Sequence, residues 1–141
     1  MDVFTSTPGA PRTTMPSPDD RHYTETHEWH KLEGGEVTIG ISRFAVDELT
    51  DITFLEFSRN EGQIKAGESF GEIESVKTTS ELYSGIDGTV TAVNEQVVED
   101  PSIINQDPWD RGWLVKLKPD DESQVGRLLD ASAYDAQIGE A

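Results

Sequence analysis

Lysine is scarce in this chain, and the placing of one of the five is suggestive: Lys31, Lys65, Lys77, Lys116 and Lys118. Lys77 stands between two strand-like stretches, in Glu74-Ser75-Val76-Lys77-Thr78-Thr79-Ser80-Glu81. A lysine at a hairpin tip projects its amine on a flexible four-carbon stem, clear of the body. Such a side chain suits a tethered group that must visit several sites in turn, because tethering raises its effective concentration at each of them. By residue type alone, an exposed lysine in a polar turn is usually no more than that. The stretch has no Asn-Gly or Asp-Gly, so turn chemistry does not by itself place the tip.

Self-sufficient catalysis finds little material. Cysteine is absent, which removes disulfides, thiolate nucleophiles and cysteine-bound metals. The three histidines, His22, His27 and His30, all fall near the start of the patterned region. On an extended segment His27 and His30 face opposite ways, a poor metal pair. There is no glycine-rich phosphate loop, no Gly-x-Ser-x-Gly and no His-Glu-x-x-His. Carboxylate pairs such as Glu72 and Glu74 are lost among 28 acids, most of which must be solvated.

The elements that would position Lys77 are legible in outline. A chain of 141 residues accommodates one domain and one modest core. Residues 1–21 carry little large apolar surface: Met1 to Asp20 hold four prolines and six Ser or Thr. This segment is expected to be flexible. With only Arg12 before Asp19 and Asp20, it is a weak candidate for a transit peptide. Residues 22–141 form the expected domain. Short runs rich in β-branched and aromatic residues recur there: Glu36 to Ile41, Ile52 to Phe57, Ser69 to Val76, Glu81 to Tyr83, Gly88 to Val93 and Trp113 to Lys118. Turn signals at Gly34-Gly35, Asn60-Glu61-Gly62 and Asp87-Gly88 separate them, the pattern of a β-sandwich or barrel. Ser42 predicts an N-cap for a short helix through Leu49, with Ala45, Val46 and Leu49 on one face. A last helix is expected after Pro119, opened by Asp120 to Glu122 and striped by Val125, Leu128 and Leu129, with Gly126 weakening it.

The formal charge of −17 disfavours nucleic acid and anionic membrane surfaces and favours steering toward basic protein patches. No run reaches the roughly 18 apolar residues a bilayer span requires.

Four ordered motifs then carry a family resemblance. Glu74 to Ser84 resembles the lipoyl-lysine segment of glycine cleavage H proteins. Tyr23-Thr24-Glu25-Thr26-His27-Glu28-Trp29, Gly88-Thr89-Val90 with Val93-Asn94, and Ile103-Ile104-Asn105-Gln106-Asp107-Pro108-Trp109 leading to Gly112-Trp113-Leu114 agree in order and spacing. Ile39-Gly40-Ile41-Ser42 and Gly67-Glu68-Ser69-Phe70-Gly71 add weaker support. The resemblance spans residues 22–135. It implies a mainly β fold, a barrel-sandwich hybrid of two small antiparallel sheets with a short helix and a C-terminal helix.

It further implies lipoate on Lys77, with Glu74 as a recognition position for the lipoate-attaching enzymes. Biotin carriers flank their lysine with methionine, whereas the neighbours here are Val76 and Thr78. The implied role is that of a carrier without its own active site. It would take an aminomethyl group from glycine decarboxylase (P protein) to aminomethyltransferase (T protein) and present its dithiol to dihydrolipoyl dehydrogenase (L protein). Glu28 and Glu81 are the expected contacts for a docked, cationic arm, with His27 and Trp29 packing beside the cleft. Bacterial cytoplasm is the expected compartment and the mitochondrial matrix the alternative. Two other roles fit the sequence: a relay of lipoyl or octanoyl groups to other carriers, and an unmodified interaction module. The chain departs from the family pattern at Gly85, where proline is usual, and at Trp109-Asp110-Arg111. Glycine there is expected to loosen the strand exit.

Overall fold

The computed structural model describes residues 17–139. Nine strands are antiparallel-paired among the described residues: β1 His22–Tyr23, β2 Glu28–Glu33, β3 Glu36–Ile41, β4 Ile52–Phe57, β5 Gly62–Ile64, β6 Ser69–Ser75, β7 Thr79–Tyr83, β8 Gly88–Val93 and β9 Val115–Pro119. One sheet has the order β1-β2-β3-β9-β8-β5, and the other β4-β6-β7. Five described helices connect them: α1 Arg43–Leu49, α2 Glu95–Glu99, α3 Ser102–Gln106, α4 Ser123–Gly126 and α5 Ala131–Gly139. The fold is the mainly β arrangement of two antiparallel sheets expected from the sequence.

The alternation of β3 places Val37, Ile39 and Ile41 in the core between the sheets, against Leu55, Ile73 and Leu82 from the smaller one. Gly34 and Gly35 close the β2–β3 hairpin with φ of 61° and 80°. A two-residue loop with both angles positive is the turn whose twist matches its strands. Ser42 caps α1 as expected, its Oγ accepting from the Ala45 N–H at 3.2 Å. β1, β2 and β5 were not expected; each is short or carries His, Lys and Gln, which blur period-2 alternation.

A second cluster covers the outer side of β1 and β2. Trp29 packs flat over its cross-strand partner Gly40, where a Cβ would come within 2.4 Å of the indole. Its Nε1–H donates to the Pro108 carbonyl at 3.0 Å. The Arg21 guanidinium lies 4.6 Å from the Trp29 ring and donates to the Trp109 carbonyl at 2.8 Å. Tyr23 stacks on Tyr134 of α5 at 4.5 Å and 9°. Of the segment expected to be flexible, residues 1–16 lie outside the described residues. Residues 17–21 lie against the body: Ser17 Oγ donates to Asp135 at 2.6 Å, and the Pro18 carbonyl accepts from Tyr23 Oη.

Two expectations need correction. The helix predicted from Asp120 through Leu129 is divided. α4 stops at Gly126, and Leu129 instead pairs with Tyr23, its N–H and C=O both engaged at 2.9 and 2.7 Å. The terminal helix begins only at Ala131, with Asp130 accepting from the Ala133 N–H at 2.8 Å. A backbone bridge to the sheet outcompetes a helical turn weakened by glycine. Nor does Gly85 loosen the exit of β7. Its N–H donates to Nε2 of the fully buried His30 at 3.0 Å, a bond proline would lack. A Cβ at this position would sit 2.7 Å from Thr24 Cγ2. Because Nε2 accepts, the proton of His30 resides on Nδ1, a buried atom with no partner among the described residues.

Burial, opposed by the Glu28 backbone, holds the His30 imidazole down to about 4. The unfolded chain takes up this proton near pH 6.5. Stability is therefore lost as pH falls between about 6.5 and 4, by on the order of 3 kcal/mol from this group. His30→Gln keeps an acceptor but does not titrate. Urea melts at several pH values are expected to show a shallower acid loss in that variant than in the parent. Gly85→Pro should cost about 1–3 kcal/mol at neutral pH, as it strips His30 of its donor.

Candidate functional site

The β6–β7 hairpin carries Lys77 at its tip. Glu74 and Thr79 are its last paired residues, leaving Ser75 to Thr78 as the turn. Ser75 builds that turn. Its Oγ accepts from the N–H groups of Lys77 at 3.1 Å and Thr78 at 3.2 Å, and its own N–H donates to the Thr78 carbonyl at 2.8 Å. A serine hydroxyl here does the local work that Asn or Asp does in commoner turns. The Val76 N–H donates to the Asp51 carbonyl, tying the tip to the segment after α1. Lys77 is exposed, and its Nζ donates to the carbonyl of Glu48 near the C-terminus of α1, at 3.2 Å. Glu74 is half-buried on β6, between Phe54 of β4 and Thr79 of β7.

A cleft of about 240 Å³ lies between α1 and β7, and Glu48, whose carbonyl Lys77 Nζ reaches, is part of its lining. Phe44, Ala45 and Leu49 of α1 form one wall, and Ile41, Ile73 and Leu82 of the two sheets form the rest of its apolar surface. Three carboxylates, Glu28, Glu48 and Glu81, share the lining, together with His27. The structure thus brings Glu28 and Glu81 to one cleft, while Glu74 lies outside its lining. Glu48 was not expected there. The signal was available: it lies three residues after Ala45, so the helical period puts both on one side of α1.

Glu28 and Glu81 sit there on different terms. Glu81 is exposed on β7. Glu28 is only 1% exposed, and its carboxylate is largely committed. Oε1 accepts from the hydroxyls of Thr24 and Thr26, both at 2.5 Å, and Oε2 accepts from the Tyr83 N–H at 2.9 Å. Thr24 Oγ1 in turn accepts from the Glu28 N–H at 3.0 Å, closing a ring. A carboxylate has about four acceptor sites, so roughly one remains for anything entering the cleft. Burial pushes the carboxyl upward from its ordinary range, against the pull of the two hydroxyls and the Tyr83 amide.

His27, at the bend before β2, has φ of 81°, uncommon for a residue with a side chain. Its Nδ1 is 2.8 Å from the Tyr134 hydroxyl, and its ring lies 5.0 Å from that of Phe44. Burial lowers its basicity, and the nearby charge of Glu48 works the other way. Expected as packing beside the cleft, His27 also lines it; Trp29 is wholly internal.

The chain is similar to known proteins of one family. A family model described as "Glycine cleavage H-protein" matches residues 21–141. A glycine cleavage system H protein of Staphylococcus carnosus (strain TM300) is 46% identical over 126 residues, 89% of this chain and 100% of that one. One from Magnetococcus marinus (strain ATCC BAA-1437 / JCM 17883 / MC-1) is 46% identical over 124 residues, 88% of this chain and 89% of its own. The crystal structure of a glycine cleavage system H protein from Mycobacterium marinum superposes with a TM-score of 0.79 at 41% identity. It covers 86% of this chain and 98% of that one.

The Glu28 carboxylate is expected to hold β7 in place. Glu28→Ala strips three donors of their acceptor and should lower the free energy of unfolding by about 2–3 kcal/mol. Hydrogen exchange at the Tyr83 amide should accelerate with it. Unchanged protection of that amide would mean that the strand is held by other contacts.

Proposed function

The chain belongs to the glycine cleavage H-protein family, and from that premise we propose that Lys77 is the lysine that carries its lipoyl group. Members of this family are the lipoyl-carrying H proteins of the glycine cleavage system, carrier subunits rather than free-standing enzymes. The observation that supports Lys77 is its position: an exposed amine at a hydrogen-bonded hairpin tip, reaching the carbonyl of Glu48, which lines a cleft with apolar walls and three carboxylates. Apolar walls suit the hydrocarbon of a lipoyl arm, and carboxylates suit a cationic amine at its end.

When attached, the lipoyl group supplies a disulfide that accepts a one-carbon amine and is regenerated by oxidation of its dithiol. The chain's own residues supply place and shelter. Ser75 and the Asp51 carbonyl hold the tip, so the arm swings from a fixed anchor. Phe44, Leu49 and Leu82 exclude water from whatever lies between α1 and β7. Glu81, Glu48 and the remaining acceptor capacity of Glu28 offer charge-assisted hydrogen bonds to an ammonium. No residue is asked to make or break a covalent bond, which fits a carrier.

The partners of this reading are glycine decarboxylase, aminomethyltransferase, dihydrolipoyl dehydrogenase and the lipoate-attaching enzymes. The strong negative charge would steer the protein toward basic surfaces on them. Glu74, on the strand leading into the turn, is the recognition residue we assign to the attaching enzymes. None of the described helices is long and apolar enough to cross a membrane. The cytoplasm of a bacterium is the compartment proposed, in keeping with the bacterial relatives.

Intact-mass measurement on protein from lipoate-fed cells should show one lipoyl increment, absent from Lys77→Arg. Acylation also deletes one positive charge, so the loaded form should run faster on a native gel. No increment in the presence of active attachment enzymes would overturn the assignment. Glu74→Ala should slow attachment while leaving the urea midpoint of the unmodified protein within experimental error.

A further inference from the structure

Three buried or half-buried groups link the C-terminal helix to the cleft. The Tyr134 hydroxyl, on α5, lies 2.6 Å from Ser42 Oγ and 2.8 Å from His27 Nδ1. Ser42 Oγ already accepts from the Ala45 N–H as the cap of α1. The direction of the chain follows from counting protons. Ser42 is buried, and among the described residues its hydroxyl proton has one acceptor, Tyr134 Oη. Tyr134 is fully buried as well, so its own proton must go to its other partner, His27 Nδ1. An imidazole that accepts at Nδ1 while neutral carries its proton at Nε2. The reverse direction would leave the Ser42 proton buried without an acceptor, at full desolvation cost.

The second ring nitrogen is free to act. Among the described residues the sole buried side-chain polar atom without a partner is His30 Nδ1, so His27 Nε2 is not sealed in the interior. On the ring it points away from Nδ1 and hence away from Tyr134. The imidazole lines the same cleft as Glu48, whose carbonyl Lys77 reaches, and the backbone holds it there in the strained positive-φ region. Strain of this kind persists only where surrounding structure over-determines it, here through the Ser42 N–H to His27 carbonyl bond and the Tyr134 contact. Lys77 Nζ reaches the Glu48 carbonyl, and Phe44, beside His27, lies four residues earlier on α1. That is roughly one helical turn, about 6 Å along the axis.

The charged groups facing the cleft are acceptors: Glu28, Glu48 and Glu81. They serve a cationic amine but repel the lone pairs of a sulfur or a carbonyl oxygen. His27 is the one side chain with an N–H in the lining. We propose that His27, locked as the Nε2–H tautomer by the Ser42–Tyr134 hydroxyl chain, donates a hydrogen bond to the lipoyl arm docked in this cleft. Tyr134 is then a positioning residue, through which the C-terminal helix sets the chemistry of the cleft. This inference rests on the assignment of Lys77.

The test separates the two. Long-range nitrogen–proton correlation spectra of the unmodified protein, at pH ~7.5 where an imidazole of ordinary or lowered basicity is neutral, should show His27 protonated at Nε2. Lipoylation, verified by mass on the same sample, should shift the His27 Nε2–H resonance. Tyr134→Phe keeps the ring stacked on Tyr23 but removes the hydroxyl. It should yield mixed tautomers and a docked fraction of the arm lower by about fivefold, the scale of one neutral hydrogen bond. An Nδ1–H tautomer in the unmodified parent overturns the relay. A lipoylated sample with an unmoved Nε2 overturns the contact and leaves Lys77 standing. A sample that carries no lipoyl group under active attachment removes the Lys77 assignment, and the contact with it.

Discussion

A single buried carboxylate joins the two halves of this molecule. Glu28 enters from β2 of the larger sheet, and its Oε2 takes the amide of Tyr83, the last residue of β7 in the smaller one. Its Oε1 is held by Thr24 and Thr26 from the loop before β2. Removing a carboxylate from water is costly, and only dense hydrogen bonding offsets it. The result is that loop, sheet edge and return strand of the hairpin are set relative to one another by one group. Everything that concerns Lys77 depends on this register, because β7 is the strand that descends from it.

The same economy governs the other buried polar residues. His30 finds its partner in a backbone amide that is present because residue 85 is not proline. Ser42 is at once the cap of α1 and a member of the hydroxyl chain to Tyr134. Trp29 fits because Gly40 opposite it has no side chain. His30, Ser42 and Trp29 are thus each matched by a residue outside their own element, and α5 is recruited as a structural lid over the aromatic cluster. A carrier that must present one arm to several enzymes gains from such rigidity: the arm moves while its anchor stays put.

The acidic cleft offers a corresponding division of labour. Carboxylates of different exposure line one short groove, Glu81 and Glu48 open to water and Glu28 committed to the framework. Exposed carboxylates can greet a cation and release it again, since solvent competes for both. A cleft built wholly from buried charges would hold its occupant too well for a shuttle.

Much of this was legible in the sequence, for identifiable reasons. Strands β3, β4 and β8 announce themselves by alternation and β-branched residues, the Gly34-Gly35 turn by the φ that only glycine adopts freely, and α1 by its serine cap. Lys77 stands out as one of few lysines, between two strands. These are local properties, decided by neighbours within a few residues. The tertiary structure alone decided the rest. That Glu28 would be spoken for by Tyr83, that Gly85 would pin rather than loosen, and that Leu129 would bridge to Tyr23 depend on partners 55, 55 and roughly a hundred residues apart. Helical propensity after Pro119 pointed one way and a sheet bridge pulled the other, and the long-range bond won. A buried polar group must find its complement wherever the fold brings one, and no periodicity in the chain records where that will be.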